Sequence, residues 1–170
     1  MNYEIVDDLL DSDTLEYIQT VMCNGDLKHH IHFPWFLSQN VATSNSDLDD
    51  MHCYFYHPFY WDNAPASEWY HEFIGQICSK MQIKSLMRVK GNLYPCTNDI
   101  FEHEPHIDMN FSHNGAIFYV NTNNGYTKLS DGTKIDSKEN RLLLFDPSLP
   151  HNSSTCNDSK FRVNINFNYF

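Results

Sequence analysis

Ten histidines occur in 170 residues, and one group stands apart by its neighbours. The segment Glu102-His103-Glu104-Pro105-His106-Ile107-Asp108 leads into a predicted strand, Pro105–Phe111. On a strand, residues two apart share a face and lie about 6.5–7 Å apart along the chain. His106 and Asp108 are therefore expected to converge on one cation, with the apolar Ile107 turned away. A third ligand is offered by His151 in Leu149-Pro150-His151-Asn152, just after the predicted strand Arg141–Phe145 and its Asp146-Pro147 turn. Two imidazoles and one carboxylate suit a divalent transition metal such as Fe(II), with coordination positions left open. The other histidines read differently. His29, His30 and His32 crowd a polar loop and read as surface residues; His52, His57 and His71 have no ligand-type residue at suitable spacing; His113 falls in a predicted turn.

A cation follows the distal histidine. Arg162 lies on the polar side of a closing strand, Phe161–Tyr169, in which Phe161, Val163, Ile165 and Phe167 point one way and Arg162, Asn164, Asn166 and Asn168 the other. That polar side faces either solvent or the inside of a barrel holding a polar ligand. In the second case a guanidinium could clamp a carboxylate through two parallel hydrogen bonds. Lys160, two residues earlier, is the alternative cation. On the strand Leu86–Tyr94, Arg88, Lys90, Asn92 and Tyr94 share one face, which makes Tyr94 and Asn92 candidates for contact with the same ligand. Tyr119 and Asn121 are further candidates that could equally fill a barrel interior.

The elements that must position these residues fall into two halves. In the first, Asp13-Thr14-Leu15-Glu16 resembles a capping box and Leu15, Ile18 and Met22 recur at helical spacing up to Asn24-Gly25. A second amphipathic helix is expected over Ala66–Met81, with Trp69, Phe73, Ile74, Ile77 and Met81 on one face. Strands are expected at Trp35–Val41 and Met51–Tyr56, and the aromatic group Trp35, Phe36, Tyr54, Tyr56, Tyr60 and Trp61 is read as core and helix-packing surface rather than a substrate cage. From about Ile83 the chain becomes short strands between turns, adding Gly115–Asn121 and Tyr126–Leu129 to those already named. The expected architecture is a single domain, mainly β with N-terminal helices packed on one sheet. Residues 1–85 form a helical and loop buttress with flanking strands, and residues 86–170 form the metal-binding β core.

Composition narrows the function. A 41% apolar and 19% charged chain is too hydrophobic for a disordered one. The net charge of −11 argues against nucleic-acid binding, which rests on a basic surface. The charge is uneven, with 13 acids against 3 bases up to residue 87 and 9 against 8 thereafter. The five cysteines, odd in number and without a C-x-x-C pair, read as free thiols. No stretch reads as a membrane span and the N-terminus lacks signal-peptide features, so the expected location is the cytoplasm.

The order of motifs resembles that of the 2-oxoglutarate- and Fe(II)-dependent oxygenases, in particular the small prolyl 4-hydroxylase-like branch that includes phage versions. The resemblance covers roughly residues 86–170. It runs through Asn92-Leu93-Tyr94, His106-Ile107-Asp108, Phe118-Tyr119-Val120-Asn121, Asn124-Gly125-Tyr126-Thr127, Asn140-Arg141-Leu142-Leu143-Leu144-Phe145, His151 and Arg162. Asn124 and Asn140 stand where the family often has glycine, which asparagine can replace because it tolerates positive φ. The resemblance implies a double-stranded β-helix (jelly roll) and Fe(II) held by His106, Asp108 and His151. It also implies 2-oxoglutarate as cosubstrate, gripped at its 5-carboxylate by Arg162 with Tyr94 and Asn92 nearby, and O2 as oxidant. The implied outcome is hydroxylation of a C–H bond in a peptide or small molecule, such as a prolyl or other amino-acid side chain, with succinate and CO2 as coproducts. Two other readings stay open: a cupin-like metal enzyme that does not use 2-oxoglutarate, and a jelly-roll binding module whose histidines are structural.

Overall fold

The computed structural model describes residues 2–24, 32–39 and 53–170. His29, His30 and His52, Gly25, and the ends of two expected strands at Val41 and Met51 lie outside the described residues.

Eleven strands are described: β1 (Glu4–Val6), β2 (Phe36–Ser38), β3 (Tyr54–Trp61), β4 (Ala64–Pro65), β5 (Leu86–Pro95), β6 (Asn114–Tyr119), β7 (Tyr126–Leu129), β8 (Lys134–Asp136), β9 (Arg141–Phe145), β10 (His151–Ser153) and β11 (Phe161–Tyr169). The large antiparallel sheet runs β1-β9-β6-β11-β5-β3-β2, with β4 paired to β3, and a small sheet runs β10-β7-β8. Among the described residues the two α-helices are α1 (Ser12–Gln19), continued by a π-helical turn at Thr20–Asn24, and α2 (Gly75–Met81), preceded by one at Tyr70–Ile74. Among the described residues no helix is long and apolar enough to cross a membrane.

The alternation of β11 divides the interior in two. Its apolar side, Val163, Ile165 and Phe167, joins Val89, Phe118 and Leu142 of the neighbouring strands in a core with Ile18 of α1 and Phe73 and Ile77 of the second helical segment. The helices thus cover one face of the large sheet, as expected. On the other face Ile117, Tyr119, Leu143 and Phe145 pack against Leu129 and Ile135 of the small sheet, which closes over them as the second wall of a jelly roll. The polar side of β11 lies between these walls: Arg162 and Asn168 are wholly buried and Asn164 nearly so.

Several boundaries differ from expectation. The N-cap of α1 is Asp11, whose carboxylate accepts from the Thr14 amide at 3.0 Å and the Thr14 hydroxyl at 2.9 Å, so the helix starts before the capping-box sequence. Residues 66–69 precede the second helical segment, where the Ser67 hydroxyl accepts instead from the His57 ring or donates to it at 2.7 Å. The expected strand Pro105–Phe111 is not one. It makes a single isolated bridge, His106 opposite His151 of β10, and a second bridge just before it sets Glu102 opposite Ser154. Asn140 does adopt positive φ (59°), and its side chain both accepts from the Leu10 amide and donates to the Leu10 carbonyl, at 2.8 Å each. Asn124 has no positive φ; its amide and side chain instead tie the turn to Asn157 and Asp158.

Candidate metal centre and its cavity

The two histidines meet through a cross-strand pair. The His106 amide donates to the His151 carbonyl at 2.9 Å and the His151 amide donates back at 3.0 Å. Opposed residues of an antiparallel pair put their side chains on one face, and the two imidazole centres lie 4.7 Å apart. Asp108 is placed by the bond from its amide to the Pro147 carbonyl at 3.0 Å. That turn can approach because residue 115 is glycine: a Cβ there would come within 2.6 Å of the Pro147 ring. His106 Nε2 stands 3.9 Å from Asp108 Oδ1. One ligand atom each from His106, Asp108 and His151 lies within 4.8 Å of the others, so the three could hold one metal ion. Ile107, between two of them, is exposed as expected.

The electrostatics keep all three donors available. Burial holds the His106 imidazole down to about 4, with His151 reinforcing and Asp108 opposing the shift, so its lone pair is free at neutral pH. His151 directs Nδ1 at the Leu149 carbonyl at 3.1 Å, leaving Nε2 for a ligand. Burial alone would raise the Asp108 carboxyl, but Arg88, His151 and the Asn168 amide outweigh it and bring it down to about 2. Arg88 reaches Asp108 Oδ1 at 3.0 Å, while Asn168 and Asn166 donate to Oδ2 at 2.8 and 3.2 Å. Asn168 is itself held by His113 Nε2 at 3.1 Å, and His113 Nδ1 bonds the Phe111 carbonyl at 2.9 Å. His113 thus supports the carboxylate from behind. These partners are not visible in sequence, because they meet Asp108 only through the pairing of β11 with β5 and β6.

Behind the cavity wall, against Thr127 and Tyr94, lies Arg162, 0% exposed. Its Nε donates to the Ser137 hydroxyl at 2.7 Å, Nη2 to the Thr127 hydroxyl at 3.1 Å and Nη1 to the Ser154 carbonyl at 3.4 Å. Its guanidinium carbon sits 5.3 Å from the centre of the Tyr94 ring and 5.7 Å from that of Tyr119. Among the described residues no carboxylate pairs with it. A buried cation costs several kcal/mol unless a counter-charge offsets it, so the site is chemically suited to an anion. Gly125 makes room for it, since a Cβ there would lie 2.7 Å from Arg162 Cδ and 2.8 Å from the Thr155 carbonyl. Lys160, the alternative cation, is exposed.

Tyr94, Asn92 and Thr127 line the same cavity as His106, Asp108 and His151. Burial pushes the Tyr94 hydroxyl up to about 12, against the pull of Arg162 and Ser153. Asn92 donates to Asn164 Oδ1 at 2.9 Å, and its own Oδ1, like that of Asn166, is buried without a hydrogen-bond partner. Unmet acceptors beside this cluster of possible metal ligands suit a polar ligand. Of the other candidates, Tyr119 is buried with its hydroxyl on Thr127 at 2.9 Å. Asn121 is not in the cavity; it bridges the Phe161 carbonyl and the Val163 amide where β6 and β11 part. The aromatic group divides: Trp35 and Tyr60 pack on the core, Phe36 and Trp61 are exposed, and Tyr54 lines the cavity. His57 is structural, bonded to the Pro34 carbonyl at 2.8 Å and to Ser67.

No protein-family model matches the sequence, and no curated protein matches it. Solved structures do. A Pseudomonas putida prolyl-4-hydroxylase is 12% identical with a TM-score of 0.60, over 98% of this chain and 91% of that one. A Trichoplax adhaerens prolyl hydroxylase, in complex with a hypoxia-inducible-factor peptide fragment, is 17% identical with a TM-score of 0.62, over 99% and 83%. HygX from Streptomyces hygroscopicus, with nickel and 2-oxoglutarate bound, is 8% identical with a TM-score of 0.59, over 98% and 82%. At such identities the likeness is one of backbone shape, and it extends beyond the motif-bearing half to nearly the whole chain. The chain has the fold of the 2-oxoglutarate- and Fe(II)-dependent oxygenases.

Proposed function

We propose that the protein is a 2-oxoglutarate- and Fe(II)-dependent dioxygenase that hydroxylates an unactivated C–H bond of a peptide or small molecule, such as a prolyl or other amino-acid side chain. The observation that carries this reading is a three-ligand metal cluster in a cavity whose lining residues Thr127 and Tyr94 are backed by a buried guanidinium, Arg162, that has no carboxylate partner among the described residues. Fe(II) with 2-oxoglutarate bound supplies the oxidising chemistry, in which O2 is consumed, succinate and CO2 are released, and a hydroxyl group is delivered to the substrate.

The chain's own residues hold and orient. His106, Asp108 and His151 would hold the metal through two imidazole nitrogens and one carboxylate oxygen. Arg162 pairs with the 5-carboxylate, and the Thr127 hydroxyl at 3.1 Å fixes the guanidinium plane for that contact. Tyr94 and Asn92 flank the cosubstrate between the two ends, the tyrosine as a protonated donor and the asparagine through its unmet oxygen. The apolar group Ile117, Leu143 and Phe145 keeps water from the inner wall. The peptide in the Trichoplax complex is the ground for counting peptides among the candidate substrates.

The test is succinate formation from 2-oxoglutarate by the purified protein with Fe(II). The expected result is iron-dependent succinate, abolished in His106→Ala, Asp108→Ala and His151→Ala, with a steeply raised requirement for 2-oxoglutarate in Arg162→Ala. Metal binding that is indifferent to 2-oxoglutarate would favour the cupin-like reading, and no metal binding would favour the binding module.

A further inference from the structure

Lys90 lies on β5 between Arg88 and Asn92 and faces the metal cavity. Its ammonium donates to the Tyr54 hydroxyl at 3.2 Å and sits 5.3 Å from the centre of that ring. Among the described residues it has no carboxylate partner, although the chain carries twice as many acids as bases, 22 against 11. Its neighbours on this face are committed elsewhere: Arg88 holds Asp108, and Arg162 lies at the inner end beneath Tyr94.

Lys90 and Tyr54 also line a second cleft. This one has a volume of about 550 Å³ and is walled by Tyr56, Pro58 and Trp61. The two residues therefore stand at the border where the metal cavity adjoins an aromatic cleft. Its volume is on the scale of small-molecule sites, of order 300–1,000 Å³, and so is its make-up, a mostly apolar wall with one placed charge. Tyr54 stacks on Tyr94 at 5.7 Å, which ties this border to the Tyr94 side of the cavity.

Building on the dioxygenase reading, we propose that this cleft seats the substrate and that the substrate is a small carboxylic acid. Its carboxylate pairs with Lys90 and the Tyr54 hydroxyl, and its apolar body lies along Tyr56, Pro58 and Trp61. Charge complementarity selects the acid: a neutral body would leave the Lys90 ammonium with an aromatic ring and a hydroxyl but no counter-ion. A cationic ligand would meet repulsion from Lys90.

The test is equilibrium dialysis of the full chain, without iron or 2-oxoglutarate, against three acids and their primary amides: phenylacetate, hexanoate and N-acetylproline. At least one acid is expected to bind about tenfold or more tightly than its amide, the scale of a charge-assisted hydrogen bond. That preference should vanish in Lys90→Met, persist in Lys90→Arg and be unaltered in Arg162→Met. Circular dichroism and a melting curve confirm that each variant is folded, and Lys90→Gln replaces Lys90→Met if the latter is not. No preference for any acid, or a preference lost in Arg162→Met but kept in Lys90→Met, overturns the proposal. So does binding confined to an acetylated, amidated hexapeptide containing one glutamate. Because the assay contains no iron, acid binding through Lys90 without succinate formation would sink the dioxygenase reading and leave the acid site standing.

Discussion

Asp108 is gripped from two strands, by Arg88 at one oxygen and by Asn166 and Asn168 at the other, and Asn168 is braced by His113. Partners of this kind set the direction of a metal-ligating carboxylate, and losing one costs about 10–100-fold in metal affinity. Asn168→Ala should therefore weaken Mn(II) binding, measured by calorimetry, by about that factor. Unchanged affinity would show that Asp108 needs no such hold. Gly125 makes a different kind of prediction. A methyl group there meets Arg162 Cδ and, on its other sides, the Thr155 carbonyl and Asn123 Oδ1 at 2.9 Å or less. The carbonyl cannot step aside, so the guanidinium must. Gly125→Ala should lower stability by about 1–3 kcal/mol, the usual cost of overpacking, and weaken 2-oxoglutarate binding, whereas Gly75→Ala, which meets nothing within 4 Å, should do neither.

At the scale of elements, the second helical segment is fastened to the large sheet by Phe73, which is fully buried and lies edge-on to Phe59 of β3 with centroids 6.2 Å apart. Phe73→Ala should cost about 3–5 kcal/mol in urea unfolding; a loss under 1 kcal/mol would mean that the helix is not held by this contact. The apolar spacing of that helix and the alternation of β11 are both legible in the sequence, because each repeats over eight or more residues with one face buried. The three-residue strands β1, β8 and β10 are not, since so short a run shows no period. The metal segment shows the limit most clearly. His106 and Asp108 do converge, but not because they lie on a regular strand. A single cross-strand pair with His151 and the Pro147 carbonyl place them, and neither contact has a local signature. For the same reason His113 reads as an ordinary turn residue until the fold brings Asn168 to it.

For the molecule as a whole, acidity is both its character and its weakness. The Glu102 carboxyl, raised by burial but pulled down more by Lys128, Tyr126 and Asn152, falls to about 2, as does that of Asp108. Both are lower in the folded chain than their ordinary values near 4. The stability they contribute is therefore complete above about pH 4.5 and is lost as pH falls through about 2. Urea midpoints measured from pH 8 to 2 should fall first between about pH 6.5 and 4, as the unfolded chain protonates His106 ahead of the folded one, and again below about pH 4.5 through the two carboxyls; a midpoint flat to pH 2 would contradict these shifts.

Anaerobic titration of the apoprotein with Fe(II) and 2-oxoglutarate, followed by visible absorption, reaches the centre of the account without needing the substrate. A metal-to-ligand charge-transfer band should appear only when both are present, be absent in Asp108→Ala, and need far more 2-oxoglutarate in Arg162→Ala. Iron bound by the wild-type chain with no band on adding 2-oxoglutarate would contradict it.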